Sequence, residues 1–176
     1  MGFRTKLKHT WPDNNQEMFG KKPNGGRYVE LGTINYVNLS KDGKHGDIHS
    51  ALKIAAETGK PIFANFVEWP GWQGCKDAGS IFADPIVKRA AEEAFVPCAF
   101  NTWDRSVPGW NQPMQRWGAG LANSWWGYLR IIDSEGNLVI NGTNQITSHR
   151  QLKEVKQAMR DALEDLGEDV PEYLEN

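Results

Sequence analysis

Residues 61–76 read Pro-Ile-Phe-Ala-Asn-Phe-Val-Glu-Trp-Pro-Gly-Trp-Gln-Gly-Cys-Lys. The apolar run Ile62–Val67 is short, continuous and closed by the turn residues Pro70 and Gly71, the pattern of a buried strand entering a loop. Cys75 follows, and residues 76–82 have a helical pattern. A cysteine at the mouth of a helix lies where free backbone N–H groups and the helix dipole favour an anion, so Cys75 is a candidate thiolate. The same residue is equally read as a small buried apolar side chain.

Working outward, the segment before this strand begins at Asp47, a suitable N-cap. Ile48, Ala51, Leu52 and Ala55 then recur on one helical face, and Gly59 followed by Pro61 ends the helix. Beyond the cysteine, Asp84-Pro85 is a second helix start, with Ile86, Ala90 and Ala94 along one face. Residues 96–102 read as a strand. Residues 126–133 and 138–140 flank Asp133-Ser-Glu-Gly-Asn137 and predict a hairpin. Leu152, Val155, Met159 and Leu163 form the stripe of a terminal helix, with Ser148 as a candidate N-cap. Residues 28–39 are rich in strand formers and predict one or two short strands. Residues 103–124 form a long connection without sustained period, a type that tends to be functional or mobile. The order is β-α-β-α-α-β-β-β-α, a mixed sheet flanked by helices.

The spacing of these elements, with Ala-x-x-x-Gly-Lys-Pro ending at Pro61 and Phe-x-Asp-Pro-x-Val over residues 82–87, resembles the thioredoxin superfamily across residues 36–166. The resemblance implies a thioredoxin-like α/β fold and thiol–disulfide exchange with a thiol- or disulfide-containing protein or a small thiol. The family's Cys-x-x-Cys aligns with Trp72-Gln-Gly-Cys75, so Trp72 stands at the position of the nucleophile and Cys75 at the more buried resolving position. Asn65 stands where many members carry a buried aspartate. The region of the family's cis-proline, residues 124–133, contains no proline. A tryptophan codon differs by a single base from the opal codon that can encode selenocysteine. Position 72 is therefore also read as the place of a selenol in the native gene, which would restore a redox pair. Cys75 would otherwise act with an external thiol, or with Cys98 if the fold joins them.

Seven of the eight tryptophans fall between residues 69 and 126. Trp69 and Trp72 flank the loop, Trp103, Trp110 and Trp117 lie in the long connection, and Trp125-Trp126-Gly127 lie near the missing cis-proline. One reading is an aromatic cleft in which Trp69, Trp110, Trp125, Trp126 and Gly127 hold a substrate. On this reading the protein is either an enzyme or a non-catalytic module that binds a ligand or peptide in the former active-site cleft. The other is that the long loop uses its tryptophans as its own core. Glu68 and Asp104 are candidate cleft carboxylates that read first as surface residues. His45 and His49 are four apart, but Asp47 as N-cap leaves His45 outside the helix, so no metal site is expected.

The chain has 176 residues, 39% of them hydrophobic, and a net charge of −2. That suits one domain over residues 27–166, with a polar irregular arm at 1–26 and an acidic tail at 167–176. The charge balance and the lack of basic residues interleaved with aromatics speak against a nucleic-acid partner. No apolar segment approaches bilayer length, and no apolar signal core opens the sequence, so a cytoplasmic protein without membrane contact is expected. Nucleotide-binding loops and a Gly-x-Ser-x-Gly elbow are missing, and no cofactor is expected.

Overall fold

The computed structural model describes residues 28–39, 47–71, 73–102, 109–118, 128–139, 145–146 and 151–175. The expectations for the arm at 1–26, His45, Trp72, Trp103, Asp104, residues 125–127 and Ser148 lie outside these residues.

The run Ile62–Val67 forms β1, every residue of it buried. It is the middle of the sheet. β2 (Val96–Asn101) pairs with it in parallel, and β3 (Tyr128–Ile132) pairs with it antiparallel on the other side. β4 (Gln145–Ile146) closes the sheet against β3, giving the order β2-β1-β3-β4. A four-stranded sheet in this order, with the third strand antiparallel and helices on both faces, is a thioredoxin-like α/β fold.

Side chains alternate across a strand, so β1 feeds two cores. Phe63 and Val67 join Ala99, Leu129 and Ile131 on one face. Ile62, Ala64 and Phe66 join Val96, Cys98, Phe100, Tyr128 and Ile132 on the other. The first face is covered by α2 (Gln73–Phe82), α3 (Pro85–Glu93) and α5 (Leu152–Asp165). The second is covered by α1 (Ile48–Thr58) and by Trp117 of α4 (Gln112–Trp117).

The helix boundaries follow the capping chemistry. Asp47 Oδ1 accepts the Ser50 amide at 2.7 Å, and Gly59 ends α1 with φ 69°, a conformation that suits glycine. Asp84 Oδ1 accepts the amides of Ile86 and Val87, each at 3.0 Å, and Pro85 opens α3. The buried face of α3 is Val87, Ala90 and Ala91, one residue round from the expected stripe, with Ile86 and Ala94 at its margin. The hairpin turn forms as expected: the Asp133 amide donates to Asn137 O at 2.8 Å, and Asp133 Oδ1 accepts the amides of Glu135 and Asn137.

Two expectations are corrected. Residues 28–39 form no named strand; they make a 3-10 turn at Val29–Leu31 and then an irregular run along β2, where the Val37 amide donates to Pro97 O at 2.9 Å and Leu39 is a single bridge residue. Asn38 explains the second part. Its carboxamide accepts the Ala99 amide at 2.9 Å and donates to Ala99 O at 3.0 Å, doing with one side chain what a neighbouring strand would do. The long connection contains α4, and Trp117 there is core. Within the acidic stretch, α6 (Glu172–Glu175) packs Leu174 into the interior, and Arg160 Nη1 donates to Leu174 O at 2.7 Å.

The 3-10 turn and α2 meet with backbones almost in contact. A Cβ at Gly79 would lie 1.9 Å from Val29 O, and one at Gly32 would lie 2.3 Å from the Phe82 carbonyl carbon. The Thr33 amide donates to Phe82 O at 3.0 Å across the same seam. Gly79→Ala should therefore destabilise the protein by about 1–3 kcal/mol or more, as overpacking does where backbone cannot yield. Urea unfolding measures this; an unchanged midpoint would show that the seam opens freely.

Candidate functional site

α2 starts at Gln73, directly after position 72, and Cys75 lies in its first turn. The loop that leads there is tightly held. Asn101, the last residue of β2, accepts the Trp69 amide through Oδ1 at 3.4 Å and donates through Nδ2 to Trp69 O. The Trp69–Pro70 peptide is cis. Gly71 is pressed onto the cysteine: a Cβ there would meet Glu68 O at 2.5 Å, Cys75 Cβ at 2.6 Å and Cys75 Sγ at 3.1 Å. Only glycine fits between the end of β1 and the thiol.

From the 3-10 turn, Glu30 enters the same spot. It is 1% exposed, and its Oε1 accepts the Gly71 amide at 2.6 Å. Burial pushes its carboxyl above the usual range, while the Gly71 hydrogen bond and the Lys76 charge act in the opposite direction. The Glu68 carboxyl is also pushed up, by burial first and by the Glu30 charge second. Glu68 is half-buried at the end of β1.

These neighbours reverse the expectation of a thiolate. The Cys75 sulfur is fully buried, and its pKa is pushed up to about 11. Burial is the largest cause, and the Glu68 and Glu30 charges add to it; a hydrogen bond from the Glu68 backbone offsets only part. The helix start favours an anion, but desolvation and two carboxylates outweigh a partial charge at one helix end. Cys75 is a protonated thiol at neutral pH.

Cys98 cannot serve as its partner. Both cysteines are free and buried. Cys98 lies opposite Ala64 in the ladder and faces the α1 side, whereas Cys75 packs in the core on the α2 side. The sheet separates them.

Two of the described tryptophans, Trp69 and Trp117, lie on opposite faces of the sheet. Trp69 is 2% exposed and belongs to the Cys75 core. Trp117 is buried against Phe100 on the opposite face, with its Nε1 donating to Gly136 O at 3.0 Å. Trp110 is half-buried beside the turn glycine Gly109. Asn65, in the strand position of the family's aspartate, donates from Nδ2 to Tyr36 Oη at 2.9 Å, and its buried Oδ1 has no partner. His49 is exposed, and the described residues contain no group of three metal-ligating side chains. None of the described helices is long and apolar enough to cross a membrane.

Glu30 went unnoticed in the sequence because its contact spans 41 residues. The one available signal was a lone carboxylate inside the apolar run Tyr28-Val-Glu-Leu31. Beside it, along α2, a groove of about 500 Å³ is lined by Val29, Gly32, Lys76, Gly79 and Ser80.

No family model matches the chain, and no curated protein matches it. Among solved structures, a protein described as DsbH oxidoreductase is similar over 82% of this chain and 97% of its own, with 18% sequence identity and a TM-score of 0.45. At that level the likeness decides nothing about chemistry, and the fold rests on the strand order and register above.

Two outcomes follow for the thiol. With Ellman's reagent at neutral pH, the native protein should release no thiol signal, and guanidinium unfolding should reveal both cysteines. A pKa raised from 9.0 to about 11 means a thiolate fraction about 100-fold below that of an ordinary cysteine. Rapid native labelling would contradict the burial. Glu68→Gln removes the stronger of the two repelling effects and should shift the pH midpoint of labelling downward. The linkage has a definite sign, because the folded pKa is the higher one. The stability tied to the neutral thiol is complete below pH 9.0 and is lost as pH rises through about 11. The slope is about 1.4 kcal/mol per pH unit.

Proposed function

We propose that the protein is a thioredoxin-like thiol–disulfide oxidoreductase scaffold in which position 72 is the point of attack and Cys75 the resolving thiol. The observation that carries this reading is the setting of Cys75: a buried, protonated thiol in the first turn of α2, three residues past position 72 and beside Glu68 and Glu30. A thiol so placed does not begin an exchange, because the attacking species is the thiolate. It is suited to finishing one.

In the complete cycle, a thiolate or selenolate at position 72 attacks a substrate disulfide and bonds to one sulfur. The other substrate sulfur leaves as a thiolate and takes up a proton. Cys75 then passes its proton to a carboxylate, for which Glu68 is the candidate, and its sulfur attacks the chalcogen at position 72. The first substrate sulfur leaves as the second thiolate. Two electrons have passed to the substrate, and the protein holds a bond between positions 72 and 75. An external thiol reductant restores it. With Trp72, as the chain reads, only the resolving half is present. The partner class is a disulfide-containing protein or a small thiol.

The test is Trp72→Cys. The variant should reduce insulin disulfides measurably faster than the parent, which should stay at background. Adding Cys75→Ser to that variant removes the resolving sulfur, so a mixed disulfide with substrate should accumulate. A Trp72→Cys protein that stays at the parent's background would count against a redox scaffold.

A second reading, a non-catalytic module binding a ligand or peptide, is favoured by the complete burial of the Cys75 sulfur and the partial exposure of Trp110. Trp110 would be the central contact, with Trp69, Trp125, Trp126 and Gly127 as the others proposed. Under it, Trp110→Ala should cost well under the roughly 3–5 kcal/mol of a core tryptophan in urea melts, while abolishing a ligand-induced change in fluorescence. A full core-sized loss with no change in ligand affinity would exclude it.

A further inference from the structure

Arg130 lies in β3 between Tyr128 and Ile132, and these three share the face of the sheet opposite Cys75. It is 1% exposed. A guanidinium offers five N–H donors in a planar fork. Here one hydrogen bond is made, from Nη1 to Leu129 O at 3.3 Å, and the group lies 5.2 Å from the centre of the Tyr128 ring. Nε is buried and has no partner, and the buried Tyr128 hydroxyl has none either. Among the described residues, the ion pairs are both on α3, Lys88 with Glu92 and Arg89 with Glu93, and no carboxylate pairs with Arg130.

This arrangement is costly as it stands. A buried charge is ordinarily paired, and a buried donor is ordinarily bonded. Two unsatisfied groups occur two residues apart, on one strand and one face, which places them together. The unsatisfied Nε–H is a donor, and the Tyr128 hydroxyl is free to donate. Burial pushes the tyrosine up to about 12, so the hydroxyl keeps its proton at neutral pH. Beside it, Gly118 carries no side chain; a Cβ there would lie 3.0 Å from the Tyr128 hydroxyl oxygen. A carbonyl would satisfy one donor but not the charge. An anion with two or more oxygens satisfies both, since the arginine fork matches the oxygen pair of a carboxylate or phosphate.

We propose that Arg130 and Tyr128 form a binding site for a small oxyanion, a carboxylate or phosphate group, on the face of the sheet opposite Cys75. The site is independent of the thiol chemistry proposed above.

The test is thermal unfolding of the full chain at constant ionic strength, with inorganic phosphate, acetate or chloride as the varied anion. Phosphate or acetate should raise Tm with the logarithm of its concentration above Kd, by roughly 5–10 °C at a hundredfold excess over Kd, and chloride should not. A response to phosphate alone assigns a phosphate group, and a response to acetate alone assigns a carboxylate. Arg130→Met should abolish the response and should melt above the parent in chloride, because an unpaired buried charge has been removed. Should that variant fail to fold, Tyr128→Phe decides, since it removes only a hydroxyl that has no partner: its response should be weaker than the parent's. No rise with either oxyanion beyond that in chloride, or an equal rise in the variants, would overturn the proposal.

Discussion

Glu30 accepts the Gly71 amide at 2.6 Å from 41 residues away, and the candidate site depends on that reach. The contact exists because the 3-10 turn lies against α2 with only glycines at the seam, at positions 32 and 79. It fixes the residue before position 72, and it brings a second carboxylate to a spot where burial has already raised the cost of negative charge. Burial raises the Glu30 carboxyl, the Glu30 charge adds to the rise at Glu68, and both glutamates add to the rise at Cys75. The loop geometry and the thiol's protonation thus have a common origin. A side chain at Gly71 would break both, since it would occupy the space of the sulfur.

β1 divides the molecule. Its alternating side chains assign Cys75 to one core and Cys98 to the other, so the two cysteines cannot meet without opening the sheet. The same division places the Arg130–Tyr128 pair apart from the thiol. Redox chemistry therefore needs either a chalcogen at position 72 or an external thiol; the fold itself supplies no second sulfur to Cys75.

Much of the fold was legible because it is written in local signals. The apolar run Ile62–Val67, the Asp47 and Asp84 caps, the Gly59 terminator and the Asp133 turn each act within a few residues, and each forms in place. What was not legible involves distance or competition. Residues 28–39 have strand-forming types, yet they form a 3-10 turn and an irregular run in which the Asn38 side chain meets the β2 edge. The helix start favours a Cys75 thiolate locally, but the fold brings two carboxylates close from outside that local stretch. Trp117 looked like a loop residue, and its place in the core depends on α4 folding back over Phe100.

The central claim is that Cys75 is a buried, proton-holding thiol. The most direct measurement is the Cys75 ¹³Cβ chemical shift, followed by NMR from neutral pH upward in selectively labelled protein. The Cys75 signal should show no titration step below pH 10 and a midpoint near the value of about 11 that burial and the two glutamates impose. A step at or below the ordinary 9.0 would contradict it, because the thiol would then be the helix-start thiolate that the sequence alone suggests.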